Sequence, residues 1–247
     1  DLPYPDIQAN FTNIKAEHQY QDAVIDSVNR TVTLFLTDTA DIKNVNITDI
    51  SAWCNISFKD YYSNPLFYAK NLYLNNEIIK DLYIPNNVTT IGARAFADCS
   101  GLASVTLPSG LTIISGAIFD GCSGLTSVII PNSVTTIGDI AFRNCKSLTS
   151  IDIPNSVTTI KNSSFVHCSG LTSVTIGSGI TSIEEGAFYE CGRLRSITIN
   201  RATPPTLGRY VFRDTNNCPI YVPAASVNVY KAASSWSDYT NRIQAMP

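Results

Sequence analysis

Seven cysteines, two histidines and one dense acidic group are the residues of this 247-residue chain best suited to chemistry. Five of the cysteines, Cys99, Cys122, Cys145, Cys168 and Cys191, stand 23 residues apart. A metal needs ligands converging at about 2.3 Å on one ion, and an even spacing spreads them along a line instead. Disulfides between neighbouring turns are harder to dismiss, because a step of roughly 4.8 Å lies within the allowed Cα separation. Stacked side chains point the same way, however, and leave their Cβ atoms slightly too far apart to bridge. The expectation is a buried ladder of free thiols, with Cys54 and Cys218 unpaired as well. His18 sits in the polar run from Lys15 to Gln21. His167 takes a position filled elsewhere by Asp98, Gly121, Asn144 and Glu190, which reads as a solvent-facing turn. Glu184, Glu185 and Glu190 read as a solvated face, with a glycosidase-like carboxylate pair as the rival. No Ser-His-Asp constellation, His-Glu-x-x-His motif or phosphate-cradling glycine loop is present. No catalytic residue, metal or cofactor is expected, and the chain reads as a non-enzyme.

The elements that would position these residues follow from one period. Phe96, Phe119, Phe142, Phe165 and Phe188 keep the 23-residue step, as do Leu102, Leu125, Leu148, Leu171 and Leu194. Ile84, Leu107, Ile130, Ile153 and Ile176 form another such row. Within one unit, Val128 and Ile130 share the inner face of a short strand. Val134 and Ile137 point inward while Thr135 and Thr136 face water. Gly138 to Cys145 reads as a short helical or 3₁₀ turn that drives Phe142 and Cys145 into the core. A single unit cannot cover its own apolar face, so the units must stack. The expected fold is a β-rich repeat solenoid of 23-residue leucine-rich repeats, about six to seven turns by that count.

Both open ends need covers. The register breaks at Thr203-Pro204-Pro205, and a degraded unit continues through Val211, Phe212 and Cys218 to Ile220. Val227, Tyr230, Trp236, Tyr239 and Ile243 recur at near-helical spacing, predicting a helical C-terminal cap over 224–247. The solenoid is expected over 51–223, opening on an irregular turn from Trp53 to Phe58. Residues 1–50 do not follow the repeat: strands are expected at Ala23 to Asp26 and Thr31 to Leu36 around a turn at Ser27 to Arg30, and at Val45 to Ile47. Fifty residues is marginal for an independent core, so they are read as an N-terminal β cap.

Outside the core, rows of small hydroxyls recur. Thr106, Ile129, Asp152, Thr175 and Thr198 line one outward face, and Thr135 and Thr158 belong to another. These seven are the candidate binding residues, although threonine also simply suits the outer side of a strand. Tyr61, Tyr62, Tyr68 and Tyr73 form an aromatic cluster, read as core and cap with a binding platform as the alternative. The net charge of -3 and the lack of any basic block argue against nucleic acid. No apolar run approaches the roughly 18 residues that would span a membrane. The absence of a starting Met suggests a processed form, and the Thr-, Ser- and Asn-rich, Lys-poor composition suggests secretion.

The units IPNSVTTIGDIAFRNCKSLTSID and IPNNVTTIGARAFADCSGLASVT resemble the BspA-like leucine-rich repeats of bacterial surface proteins. The lead-in from Asn64-Pro65-Leu66 to Asn71-Leu72-Tyr73-Leu74 and the tail from Ile220 to Trp236 are similar to those of Bacteroides-type members. The resemblance covers about residues 53–243. It implies export, an extracellular position at the outer cell surface, and adhesion to host matrix proteins or other cells, with no catalytic residue carried over. The alternative it leaves open is a surface glycan-binding lipoprotein for nutrient capture, with any membrane contact made only through an N-terminal lipid anchor. Asp26-Ser27-Val28 and Asp38-Thr39-Ala40 resemble sites that such bacteria O-glycosylate.

Overall fold

The structure, a computed structural model, describes residues 44–247 throughout and the strand backbones of 20–26 and 31–36. The chain winds as a stack of turns, and each turn contributes to three ladders. The first is a front sheet of parallel strands. Asp81–Tyr83, Ser104–Thr106 and Ser127–Ile129 form one three-stranded piece. Ser150–Ile153, Ser173–Ile176, Ser196–Ile199, Ile220–Val222 and Ile243–Ala245 form a five-stranded piece. The two pieces are separate ladders, so the front sheet carries a seam between Ile129 and Ser150. A side sheet of two-residue strands, from Ile113–Ile114 to Thr206–Leu207, crosses that level without a break.

The third ladder is a ribbon of turns. In the turn carrying Phe142, Ala141, Arg143 and Cys145 bond back three residues to Gly138, Ile140 and Phe142, the 3₁₀-type pattern. The amides between them, of Ile140, Phe142 and Asn144, instead reach the carbonyls of Asn162, Ser164 and Val166 one turn on. Alternation of local and inter-turn bonds leaves no buried amide of this segment unpaired, as burial requires. It also needs two left-handed residues per turn. Ile140 (φ 49) and Asn144 (φ 60) are one such pair, Ala117 (φ 56) and Gly121 (φ 74) another.

The core lies between the three ladders. Phe96, Phe119, Phe142, Phe165, Phe188 and Phe212 are all buried, with successive ring centroids 5.1–5.8 Å apart. Val134 and Ile137 are buried while Thr135 is exposed, as the sequence pattern predicts. Gly138 is needed for a reason other than turn conformation: a Cβ there would lie 2.7 Å from the Ile114 carbonyl oxygen of the turn before.

A buried tryptophan lies toward each end of the stack. The Trp53 indole N–H donates to the Ala95 carbonyl at 2.8 Å, and that of Trp236 to Pro205 at 3.0 Å. Near the C-terminus the expected register break is a one-residue insertion that is undone before Ile220, since Ile183 pairs with Leu207, 24 residues on, but Ile197 pairs with Ile220, 23 residues on. The tail differs from a purely helical cap. Ala224–Ser226, Val227–Ala232 and Ser234–Arg242 are helical, but Ile243 begins a last strand paired with Ile220–Val222. Ile243 keeps the 23-residue step from Ile220, and this pairing outweighs its helical spacing from Tyr239.

At the other end, Tyr20–Asp26 and Thr31–Leu36 pair antiparallel, and Asn44–Ile47 lies parallel to the first of them. Asn44–Ile47 in turn pairs with Leu72–Leu74, which joins this sheet to the repeats. The expected turn at Ser27 to Arg30, His18 and the Asp38-Thr39-Ala40 site lie outside the described residues.

Candidate binding face

On the front sheet, residues on either side of each inward residue point outward, and the register makes them into rows. Tyr83, Thr106 and Ile129 are aligned across the three-stranded piece, and Asp152, Thr175 and Thr198 across the five-stranded piece. Of the five predicted residues, Thr106 and Ile129 are thus in register on one piece and Asp152, Thr175 and Thr198 on the other, with the seam between them. Thr106 and Asp152 are exposed, Thr175 and Thr198 are half-buried, and Ile129 is 74% exposed. The predicted row omits Tyr83, which is 60% exposed. Counting one more step of 23 back from Thr106 reaches it. A second outward row runs through Asp81, Ser104 and Ser127 on the three-stranded piece and through Ser150, Ser173 and Ser196 on the five-stranded piece. Neither row holds a lysine or arginine over these strands, and Asp81 and Asp152 are their acids. The Ser104 hydroxyl donates to the Asp81 carboxylate.

Thr135 and Thr158 belong elsewhere. They lie beside the side sheet, and their hydroxyls donate to the carbonyls of Thr112 and Thr135 at 3.1 and 3.2 Å. Thr181 and Thr206 continue the series onto Thr158 and Thr181. Each hydroxyl spends its proton on the preceding turn, so this row joins turns together and keeps only acceptor capacity toward solvent.

The tyrosine cluster is divided. Tyr61 is half-buried beside Arg94 and Arg143, whose guanidinium carbons lie 5.3 and 5.4 Å from its ring centre. Arg143 also donates to the Tyr61 hydroxyl at 2.6 Å and through Nε to the buried Asp120 at 2.9 Å. Burial, and then the Asp120 carboxylate, hold the Tyr61 hydroxyl above its usual pKa. Tyr62 is exposed and meets Phe67 edge-on, and Phe67 meets Tyr68 in the same way. The cluster thus clamps the lead-in loop to the ribbon, with Tyr62 as its exposed part.

The thiols form a different kind of row. Cys122, Cys145, Cys168 and Cys191 each donate S–H to the carbonyl of the phenylalanine one turn back, at 3.0–3.3 Å. All seven cysteines are free and buried. The Cys218 amide bonds to the Thr215 carbonyl as that of Leu194 does to Cys191, so Cys218 takes the leucine slot of its turn, while Thr215 fills the cysteine slot and its hydroxyl donates to Phe212. His167 sits at φ 59, and Asp98, Gly121, Asn144 and Glu190 have positive φ too. A left-handed backbone thus defines that slot, which explains its glycine, asparagine and aspartate. The His167 ring faces the Glu190 carboxylate at 2.9 Å on the ribbon surface. Among the described residues, no three His, Cys, Asp or Glu side chains group so as to hold a metal ion. No helix among them is long and apolar enough to cross a membrane.

The sequence matches the BspA type leucine-rich repeat region in six copies, over residues 68–169 and 135–234. No curated protein sequence matches it. Among solved structures, it is similar to a leucine-rich repeat protein of T. pallidum, at 25% identity and a TM-score of 0.53, covering 81% of this chain and 78% of the other. It is similar in fold to a leucine-rich repeat protein of Bacteroides ovatus, at 24% identity and a TM-score of 0.52, over 78% of this chain and 51% of that one. The pneumococcal vaccine antigen PcpA shares the fold at 20% identity and a TM-score of 0.61, over 85% and 51%. The chain thus spans about half the length of two of these three proteins.

Proposed function

The chain belongs to the BspA type leucine-rich repeat family, and we propose that it is a non-enzymatic binding protein of the bacterial cell surface. It recognises a host matrix protein or a protein of another cell through the front sheet. The observation that carries this reading is the outward row itself. It is weakly charged and free of cations, and it presents Ile129 and Tyr83, the two most exposed large apolar side chains among the described residues. A single exposed apolar residue needs no explanation, but two on one regular face, with only Thr106 between them, are suited to an interaction surface. Binding by Thr135 and Thr158 loses support, because their hydroxyl protons are used within the stack.

The test is binding of the purified chain to immobilised matrix proteins and, in parallel, to glycans. Saturable binding to a matrix protein that is lost in the Ile129→Glu, Thr175→Glu double variant supports the reading. The exposed ring of Tyr62 is the feature that favours a glycan ligand. Glycan binding abolished by Tyr62→Ala, with the front-sheet variant unaffected, would replace it.

A further inference from the structure

On the reading that the front sheet is the binding face, we propose that its three-stranded piece takes a polyproline II segment lying along the stacking axis and flanked by a basic residue. Tyr83 and Ile129 stand in one row with Thr106 between them. Two parallel strand steps separate them, roughly 9.6 Å. An extended β-strand laid across the row repeats same-side residues about every 6.7 Å and falls out of step with that spacing. A polyproline II helix has three residues per turn and a rise of 3.1 Å, so it repeats a face about every 9.3 Å. Residues i and i+3 of such a segment meet Tyr83 and Ile129 together. An exposed tyrosine is also the kind of platform that proline rings pack against.

Polyproline II leaves its backbone carbonyls unpaired. The exposed Ser127 side chain, in the neighbouring row, is a hydroxyl donor for them. Charge fixes the remaining chemistry. Asp81 shares a strand with Tyr83, and Asp152 follows Ile129 by one 23-residue step, on the far side of the seam. With no lysine or arginine in either row, the complementary segment carries Arg or Lys at an end.

Three labelled synthetic peptides test this by fluorescence anisotropy with the full chain. The first repeats Leu-Pro-Pro with a terminal Arg, the second replaces Arg by Glu, and the third replaces each Pro by Gly. The first is expected to bind saturably and about tenfold more tightly than either other peptide. Ile129→Glu should abolish that binding. Asp152→Asn should bring the Arg and Glu peptides closer together while leaving the circular dichroism spectrum unchanged. Equal binding of the glycine peptide, or no effect of Asp152→Asn, overturns the proposal. Absence of binding by the first peptide also overturns it. In that case the broader function still stands if Ile129→Glu, Thr175→Glu abolishes binding to a matrix protein, and falls if it does not.

Discussion

Burial sets the chemistry of the thiols. Desolvation pushes Cys99 from 9.0 to about 12, and Cys54 likewise to about 12. Thiolate, the reactive form, is therefore scarce in the folded chain at neutral pH. A thiol reagent at pH 8 should label none of the seven cysteines in the native protein and all seven in denaturant. Labelling of a native ladder cysteine would contradict the stacked core. The same shift links stability to pH. Because the folded pKa is raised, the contribution is complete below the unfolded value of 9.0 and is lost as pH rises toward 12. Denaturation midpoints should hold from pH 7 to 8 and fall between pH 9 and 11, by up to about 1.4 kcal/mol per pH unit for each such thiol. Packing sets a second contrast. Phe142→Ala leaves a hole between two stacked rings and should cost about 3–5 kcal/mol. Thr135→Ala removes one exposed hydroxyl bond and should cost under about 1 kcal/mol. Equal losses in urea titrations of the two variants would be incompatible with the core described.

At the scale of elements, the ribbon is where strain is held. His167 is a non-glycine residue at φ 59, a conformation that costs roughly 1 kcal/mol or more outside glycine. Its contact with the Glu190 carboxylate lies on the surface and contributes little. His167→Gly should therefore raise the melting temperature slightly, whereas His167→Val should lower it; the reverse order would remove the left-handed slot from the account. The strands and the core rows were legible because one residue type fills each position, as with the Phe96 to Phe188 series. The second left-handed slot was not legible. Arg94, Ala117, Ile140, Ser163, Gly186 and Tyr210 share its backbone but no side-chain chemistry. The final strand was hidden by a coincidence of periods, since Ile243 satisfies both a helical spacing and the repeat. In the binding face, Thr106 with Ile129, and Asp152 with Thr175 and Thr198, are in register on either side of the seam, as the 23-residue step predicts. The sequence does not show, however, that the hydroxyls of Thr135 and Thr158 are used within the stack. Their hydroxyl partners are carbonyls one turn away, and no residue type announces a carbonyl.

The whole molecule behaves as a line of neighbours, each turn held by the next. Its C-terminal end is closed by Arg242, which donates to the carbonyls of Cys218 and Phe212 at 2.8 and 3.0 Å and to the Thr215 hydroxyl at 2.9 Å. Arg242→Ala should cost about 1.5–3 kcal/mol, the worth of bonds to a charged donor. The loss should appear first as faster amide exchange beyond residue 200, with the turns around Phe142 unchanged. Uniform acceleration along the chain would mean that the turns are coupled more tightly than a linear stack allows. Seen as a mechanical object, the stack is not equally stiff in all directions. At the level of Ile129 the side sheet is continuous while the front sheet is parted. A rod strengthened along one side and notched on the other bends most easily at the notch. Ile129 and Asp152 stand on its two lips, so a ligand gripping both would feel the rod flex, and a pull on either end of the protein would be transmitted to its grip.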